Sequence, residues 1–169
     1  MIGMANIINY WGMWIGVEDD PYLYVDVIKQ SNQVAIGYIY SSEAEDADLS
    51  FLTEDLELSE LRARFDTLCK RLEKRAYLGE RPGAIFKYFL NFVRKMKAGD
   101  IILVPSTRES LLLCEIAGNY FHVPKPGDGC DFEHRRKIRL ISELKDEDLA
   151  PDLARKCRRR GALWEIRRV

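Results

Sequence analysis

Residues 96–123 read MKAGDIILVPSTRESLLLCEIAGNYFHV, and this stretch decides the fold. An apolar run from Ile101 to Val104 is halted by Pro105. Five polar or turn-forming residues follow, and a second apolar run starts at Leu111 and ends in Gly118, Asn119 and Tyr120. Two such runs around turn chemistry predict a β-hairpin. The first run is apolar at every position, which predicts burial on both faces. The second is expected to close on a Gly-Asn turn, where positive φ meets little steric cost. A central sheet is the expected scaffold.

Working outward, 169 residues with 47% hydrophobic and 31% charged content predict a single globular domain spanning 1–169. No apolar stretch approaches the roughly 20 residues of a membrane-spanning helix, and the N-terminus lacks the regions of a signal peptide. The expectation is a soluble cytoplasmic protein with no membrane partner. Cys69, Cys114, Cys130 and Cys157 lie far apart and form no CxxC pair. Only Cys130 and His134 have a ligand-like spacing, without two further ligands nearby, so reduced structural thiols are expected, with no metal and no cofactor.

The net charge of −1 hides an asymmetry. Residues 1–60 hold twelve acids and one base, Lys29, leaving 15 acids and 25 bases for the rest. Either the second part meets an anionic partner or the two charge blocks face each other in the fold.

Residues 7–17, IINYWGMWIGV, predict a long strand. Alternation puts Trp11, Met13 and Ile15 on one face and Tyr10, Gly12, Trp14 and Gly16 on the other. Trp14 thus stands between two positions with no side chain, a gap that suits either a flat ligand ring or a crossing helix. Asp19, Asp20 and Pro21 predict the start of a helix ending near Asn32, and residues 33–40 predict a second strand before an acidic, solvated loop. Ser59 is the expected N-cap of a helix to about Arg75, with Leu61, Phe65, Leu68 and Leu72 as its buried stripe. After a break at 79–83, a second helix is predicted over 84–97. Ile85, Phe86, Phe89, Phe92, Val93 and Met96 form its buried arc, and Lys87, Tyr88, Asn91, Arg94, Lys95 and Lys97 its outer side. A Gly-, Pro- and Asp-rich loop over 125–132 leads to His134, Arg135, Arg136 and Lys137, then a strand with Ile138 and Leu140 inward. A short helix is predicted from Pro151, with Arg158, Arg159 and Arg160 complementing its C-terminal dipole and Gly161 stopping it. A closing strand over 162–168 buries Trp164 and Ile166.

Several of these pieces stand in a recognisable order: Met13-Trp14-Ile15, Val34-Ala35-Ile36-Gly37-Tyr38, Asp48-Leu49-Ser50, Arg81-Pro82-Gly83-Ala84-Ile85, Met96-Lys97-Ala98-Gly99-Asp100-Ile101, Glu115-Ile116-Ala117-Gly118-Asn119-Tyr120 and His134-Arg135-Arg136. The set resembles the N-terminal domain of Mrr-type restriction endonucleases, which is similar to the PUA-like group of EVE and YTH domains. The resemblance covers about 13–141. It implies an α+β fold, a small mixed or partly closed β-barrel flanked by helices, with an aromatic pocket that reads a modified base in restriction or phage defence. By position, Trp14, Tyr38 and Tyr88 become the pocket candidates, the two tyrosines standing where the family more often has tryptophan. Ser106 and Asn119, on turns of the hairpin, are candidates for base-edge contacts, though turn chemistry alone accounts for them. Lys87, Lys95, Arg135 and Arg136 are the expected phosphate contacts.

Asp131, Glu133 and Lys137 have the wrong spacing for a nuclease metal site, and no P-loop, GxSxG or HExxH motif is present. The reading is therefore a nucleic-acid-binding module for modified DNA, not an enzyme, whose nuclease is a partner chain or a fused domain. The acidic first part and the two Trp-to-Tyr departures favour an alternative, a protein-interaction or regulatory subunit of the same fold. A third reading is a small nucleotide or RNA enzyme in which Glu115, Tyr120 and His134 converge.

Overall fold

The computed structural model describes residues 7–72 and 82–167. The expected helix end beyond Leu72, the 79–81 part of the break and position 168 of the closing strand lie outside the described residues, and the rest of that strand is shorter than expected, Leu163–Glu165. Six strands form one sheet: β1 (Tyr10–Met13), β2 (Gln33–Ile36), β3 (Ile101–Pro105), β4 (Ser110–His122), β5 (His134–Lys145) and β6 (Leu163–Glu165). Their order is β2-β5-β4-β3-β1-β6, antiparallel throughout except for the β1–β3 pair. This mixed α+β sheet curls into a half-barrel flanked by helices. The helices are α1 (Val25–Ser31), α2 (Leu58–Arg71), α3 (Pro82–Phe89), which runs on into a π-helical segment Leu90–Lys95, and α4 (Pro151–Lys156).

The β3–β4 hairpin forms the middle of the sheet, with Ile102 opposite Cys114 and Val104 opposite Leu112. These four side chains enter the main core, while Leu103 and Leu111 join a smaller cluster with Cys157, Trp164 and Ile166. The run 101–104 is apolar at every position because both faces of β3 are covered. β4 does not turn at Gly118 and Asn119. It continues to His122 through a register shift between Ile116 and Tyr120, a bulge in which neither residue takes positive φ.

β1 is shorter than the sequence suggests, because only Tyr10–Met13 finds partners in β3 and β6. Its alternation holds: Trp11, Met13 and Ile15 are buried in the main core, and Tyr10 and Trp14 lie against the smaller cluster. The glycine gap is not a ligand slot. Trp164, directly opposite Gly12 on β6, fills it so closely that a Cβ at Gly12 would lie 2.2 Å from the indole, and the backbone of Asp20 and Pro21 fills the space at Gly16.

Asp20 forms a turn, its carboxylate accepting the Tyr22 N–H, and α1 starts only at Val25 before ending at Asn32 in the left-handed region. In α2 the stripe Leu61, Phe65, Leu68 and Leu72 is buried as expected, but the cap position is Glu57, not Ser59. Ile85, Phe89, Phe92, Val93 and Met96 bury the inner side of α3 and its extension. Leu140 departs from its expected inward position and is 37% exposed. β2 pairs with β5 only as far as Lys137, so the later part of β5 is an edge without that neighbour.

Candidate functional site

The outer side of α3 and its π-helical extension carries Lys87, Tyr88, Asn91 and Lys95, spaced so that all four share one face. They form one wall of a cleft of about 680 Å³. The other wall is Lys156 at the end of α4, Arg159 and Arg160 in the turn after it, and Leu163 to Arg167 along and beyond β6. Among the described residues, Lys87, Lys95, Lys156, Arg159, Arg160 and Arg167 face a single acid, Glu165. Among the described residues none of these six cations makes an ion pair.

The basic turn is held in place from behind. Arg158 points away from the cleft, giving two hydrogen bonds to Asp146 (2.7 and 2.9 Å) and others to the Thr107 and Ser110 carbonyls. The indole N–H of Trp14 donates to the Arg159 carbonyl at 2.8 Å, and that of Trp164 to the Lys156 carbonyl at 2.8 Å. Gly161, at φ +112°, passes the Tyr88 hydroxyl so closely that a Cβ there would lie 2.9 Å from it. Tyr88 in turn leans on Tyr38, ring centres 5.9 Å apart and planes 32° apart, and Tyr38 itself sits at φ +75°.

Of the residues proposed from sequence, Tyr88, Lys87 and Lys95 line this cleft. Tyr38 backs Tyr88, and Trp14 braces the basic turn. Ser106 lies elsewhere, buried and donating to Glu143 at 2.8 Å, and Asn119 is exposed on the β4 bulge. Arg135 and Arg136 require correction, because both point into the protein and are only 3% and 2% exposed. Arg135 pairs with Asp128 and donates to the Phe132 and Cys130 carbonyls. Arg136 donates to the carbonyls of Phe92 (2.6 Å), Gly118 (2.9 Å), Val93 (3.0 Å) and Met96 (2.7 Å), and burial lowers its pKa to about 10. Neither guanidinium is available to a phosphate.

The sequence reading missed Lys156, Arg159, Arg160, Trp164 and Arg167. The 158–160 run was legible as charge, but its convergence on Tyr88 depends on contacts made across the chain.

A second polar cluster lies between β4, β5 and the acidic loop. The Tyr120 hydroxyl meets His134 Nδ1 at 2.9 Å, and His134 Nε2 meets the Ile39 carbonyl at 2.9 Å. The carbonyl can only accept, so Nε2 carries the proton and Nδ1 accepts from Tyr120. Burial first, then the neighbouring His122, lowers the His134 pKa to about 4. Glu115 does not join them and pairs with Arg139 at the surface. Glu133 is buried and receives the Ser41 hydroxyl (2.7 Å) and His122 Nε2 (2.8 Å). Burial alone would raise its pKa, but these bonds hold it below the usual carboxylate value. Asp131 accepts from the Tyr24 hydroxyl and Lys137 is exposed, so Asp131, Glu133 and Lys137 serve separate contacts. Among the described residues no three His, Cys, Asp or Glu side chains converge as a metal site. All four cysteines are buried.

No family model matches this chain, and no curated protein matches it.

Proposed function

We propose that this protein binds nucleic acid in the cleft between α3 and the turn after α4, with phosphates on its cations and a base against Tyr88. The carrying observation is the set of six cations, none of them in an ion pair among the described residues, around that aromatic. Phosphate contacts supply affinity and register, and an aromatic face in a basic groove is the usual platform for an unstacked base. The half-barrel sheet is compatible with the PUA-like resemblance, and on that resemblance the base is a modified one turned out of DNA, with cleavage left to a nuclease partner. Extruding a base costs a few kcal/mol, and one aromatic contact returns about 1–3 kcal/mol, so phosphate contacts must supply the remainder.

Six phosphate contacts to a single strand give a slope of log affinity against log salt of about −4. The test is fluorescence anisotropy over a salt series with matched oligonucleotides, unmodified or carrying methylated or hydroxymethylated cytosine or methylated adenine. A slope near that value, reduced by more than one in the Lys95→Glu, Arg160→Glu double variant, supports the cleft. Selective binding of one modified oligonucleotide supports the reader. Absence of binding at low salt, or an unchanged slope in the double variant, refutes the site.

A further inference from the structure

Seven polar or charged side chains are buried in the described residues, and six of them are fully engaged. Asp100 accepts from Trp11 Nε1 and from the backbone N–H groups of Asn9 and Lys97. Glu133, His134, Arg135, Arg136 and Ser106 have the partners described above. Asn91 is the exception. It is 6% exposed and lines the cleft, and among the described residues its carboxamide has no hydrogen-bond partner. Its backbone carbonyl is engaged, accepting the Met96 N–H at 2.8 Å.

A buried amide left without partners costs stability, and such a group in a folded protein calls for an explanation. Two further features point to a ligand. Asn91 lies between Tyr88 and Lys95 on the cleft wall, three residues after the aromatic and four before a cation. It also lies in the π-helical segment, a geometry concentrated at functional sites. A carboxamide presents an acceptor beside a donor, and adenine offers the complementary amino donor beside a ring-nitrogen acceptor.

We infer that Asn91 is the specificity residue of the cleft, bonding the amino edge of an adenine-type base that lies against Tyr88. This rests on the nucleic-acid reading above. Phosphate contacts set the affinity, and Asn91 sets which base is accepted.

The test compares wild type with Asn91→Leu and Asn91→Asp in two measurements. The first is anisotropy with short single strands of adenine nucleotides, of purine nucleotides lacking the amino group, and of abasic residues. The second is thermal unfolding without ligand. Wild type is expected to prefer the adenine strand about tenfold or more. Asn91→Leu should lose that preference, keep the salt slope, and unfold at the same or a higher temperature, because an unsatisfied amide has been replaced by a similar apolar volume. Asn91→Asp should also lose the preference, since a carboxylate only accepts. Earlier unfolding of Asn91→Leu would show the amide to be structural, and an unchanged base preference would show another group reading the base; either overturns the inference. If wild type binds none of the strands, the cleft reading fails and the specificity assignment with it. Binding without dependence on Asn91 defeats the assignment alone.

Discussion

Replacing Arg136 by methionine should destabilise the protein by about 3 kcal/mol. The carbonyls of Phe92, Val93 and Met96 lie at the end of the π-helical segment, where the helix leaves acceptors without intrahelical donors and its dipole is negative. Arg136 closes that end with bonds of 2.6, 3.0 and 2.7 Å, and its remaining nitrogen reaches the Gly118 carbonyl of the β4 bulge at 2.9 Å. One side chain therefore fixes the segment that carries Asn91 and Lys95 to the sheet. Each buried acceptor left bare costs about 1–3 kcal/mol, so the three helix carbonyls together cost several. The offset is the relief of a charge that burial disfavours, visible in the lowered pKa. Urea unfolding reads the balance: at a slope of about 2 kcal/mol per molar, the midpoint should fall by roughly 1.5 M. Lysine should not rescue it, because an ammonium lacks the planar fork that reaches four carbonyls. A fall equivalent to less than about 0.5 kcal/mol, the range of ordinary surface substitutions, would refute the argument.

Three further outcomes follow from the same geometry. His134, one of two histidines, has a folded pKa of about 4 against 6.5 unfolded, so between those values the unfolded chain binds more protons and stability falls as pH drops. About 3 kcal/mol should be lost across that window, and proton NMR of the imidazole should show no midpoint near 6.5. Gly161→Ala should lower the melting temperature by several degrees through its φ of +112° and the Tyr88 contact, and more than Gly99→Ala, where φ is +91° but nothing lies within 4 Å; equal shifts would exclude the contact. Trp14→Phe removes the donor to the Arg159 carbonyl and should cost about 1 kcal/mol, weakening oligonucleotide binding without changing its salt slope; a changed slope would place Trp14 in the cleft itself.

The elements legible in the sequence were those set by short-range periodicity. The 101–104 run, the Leu61-Phe65-Leu68-Leu72 stripe and the shared face of Lys87, Tyr88, Asn91 and Lys95 all depend on neighbours within two turns or one strand. What stayed hidden depends on distant partners. Arg135 and Arg136 sit in a cationic run that looks like surface, yet Arg136 is buried because carbonyls 40 to 44 residues away accept its protons. Trp14 between two glycines looks like a ligand floor until Trp164 occupies the gap from the far end of the chain. The Gly118-Asn119 pair reads as a turn, but continued pairing of Tyr120, Phe121 and His122 with β5 carries the strand past it.

The charge asymmetry left open by the sequence resolves unevenly. Acids of the first part do meet bases of the second: Glu54 pairs with Arg64 at 2.6 Å and Glu45 with Arg71 at 3.4 Å. These contacts compensate α2. They do not reach the cleft, whose cations come from α3 and its π-helical extension, α4, the turn before β6 and the residues just after it. A net charge of −1 therefore coexists with a concentrated positive surface, because the compensating acids lie on other elements. The cations of that surface are also partly ordered before any ligand arrives, since two indole N–H groups and Arg158 hold the backbone that carries Lys156, Arg159 and Arg160. Ordering a flexible basic segment on binding would consume part of the gain from each phosphate contact. On the proposed reading the folded state has already met the backbone share of that cost, and the Trp14 indole bond would then contribute to affinity although it touches no phosphate.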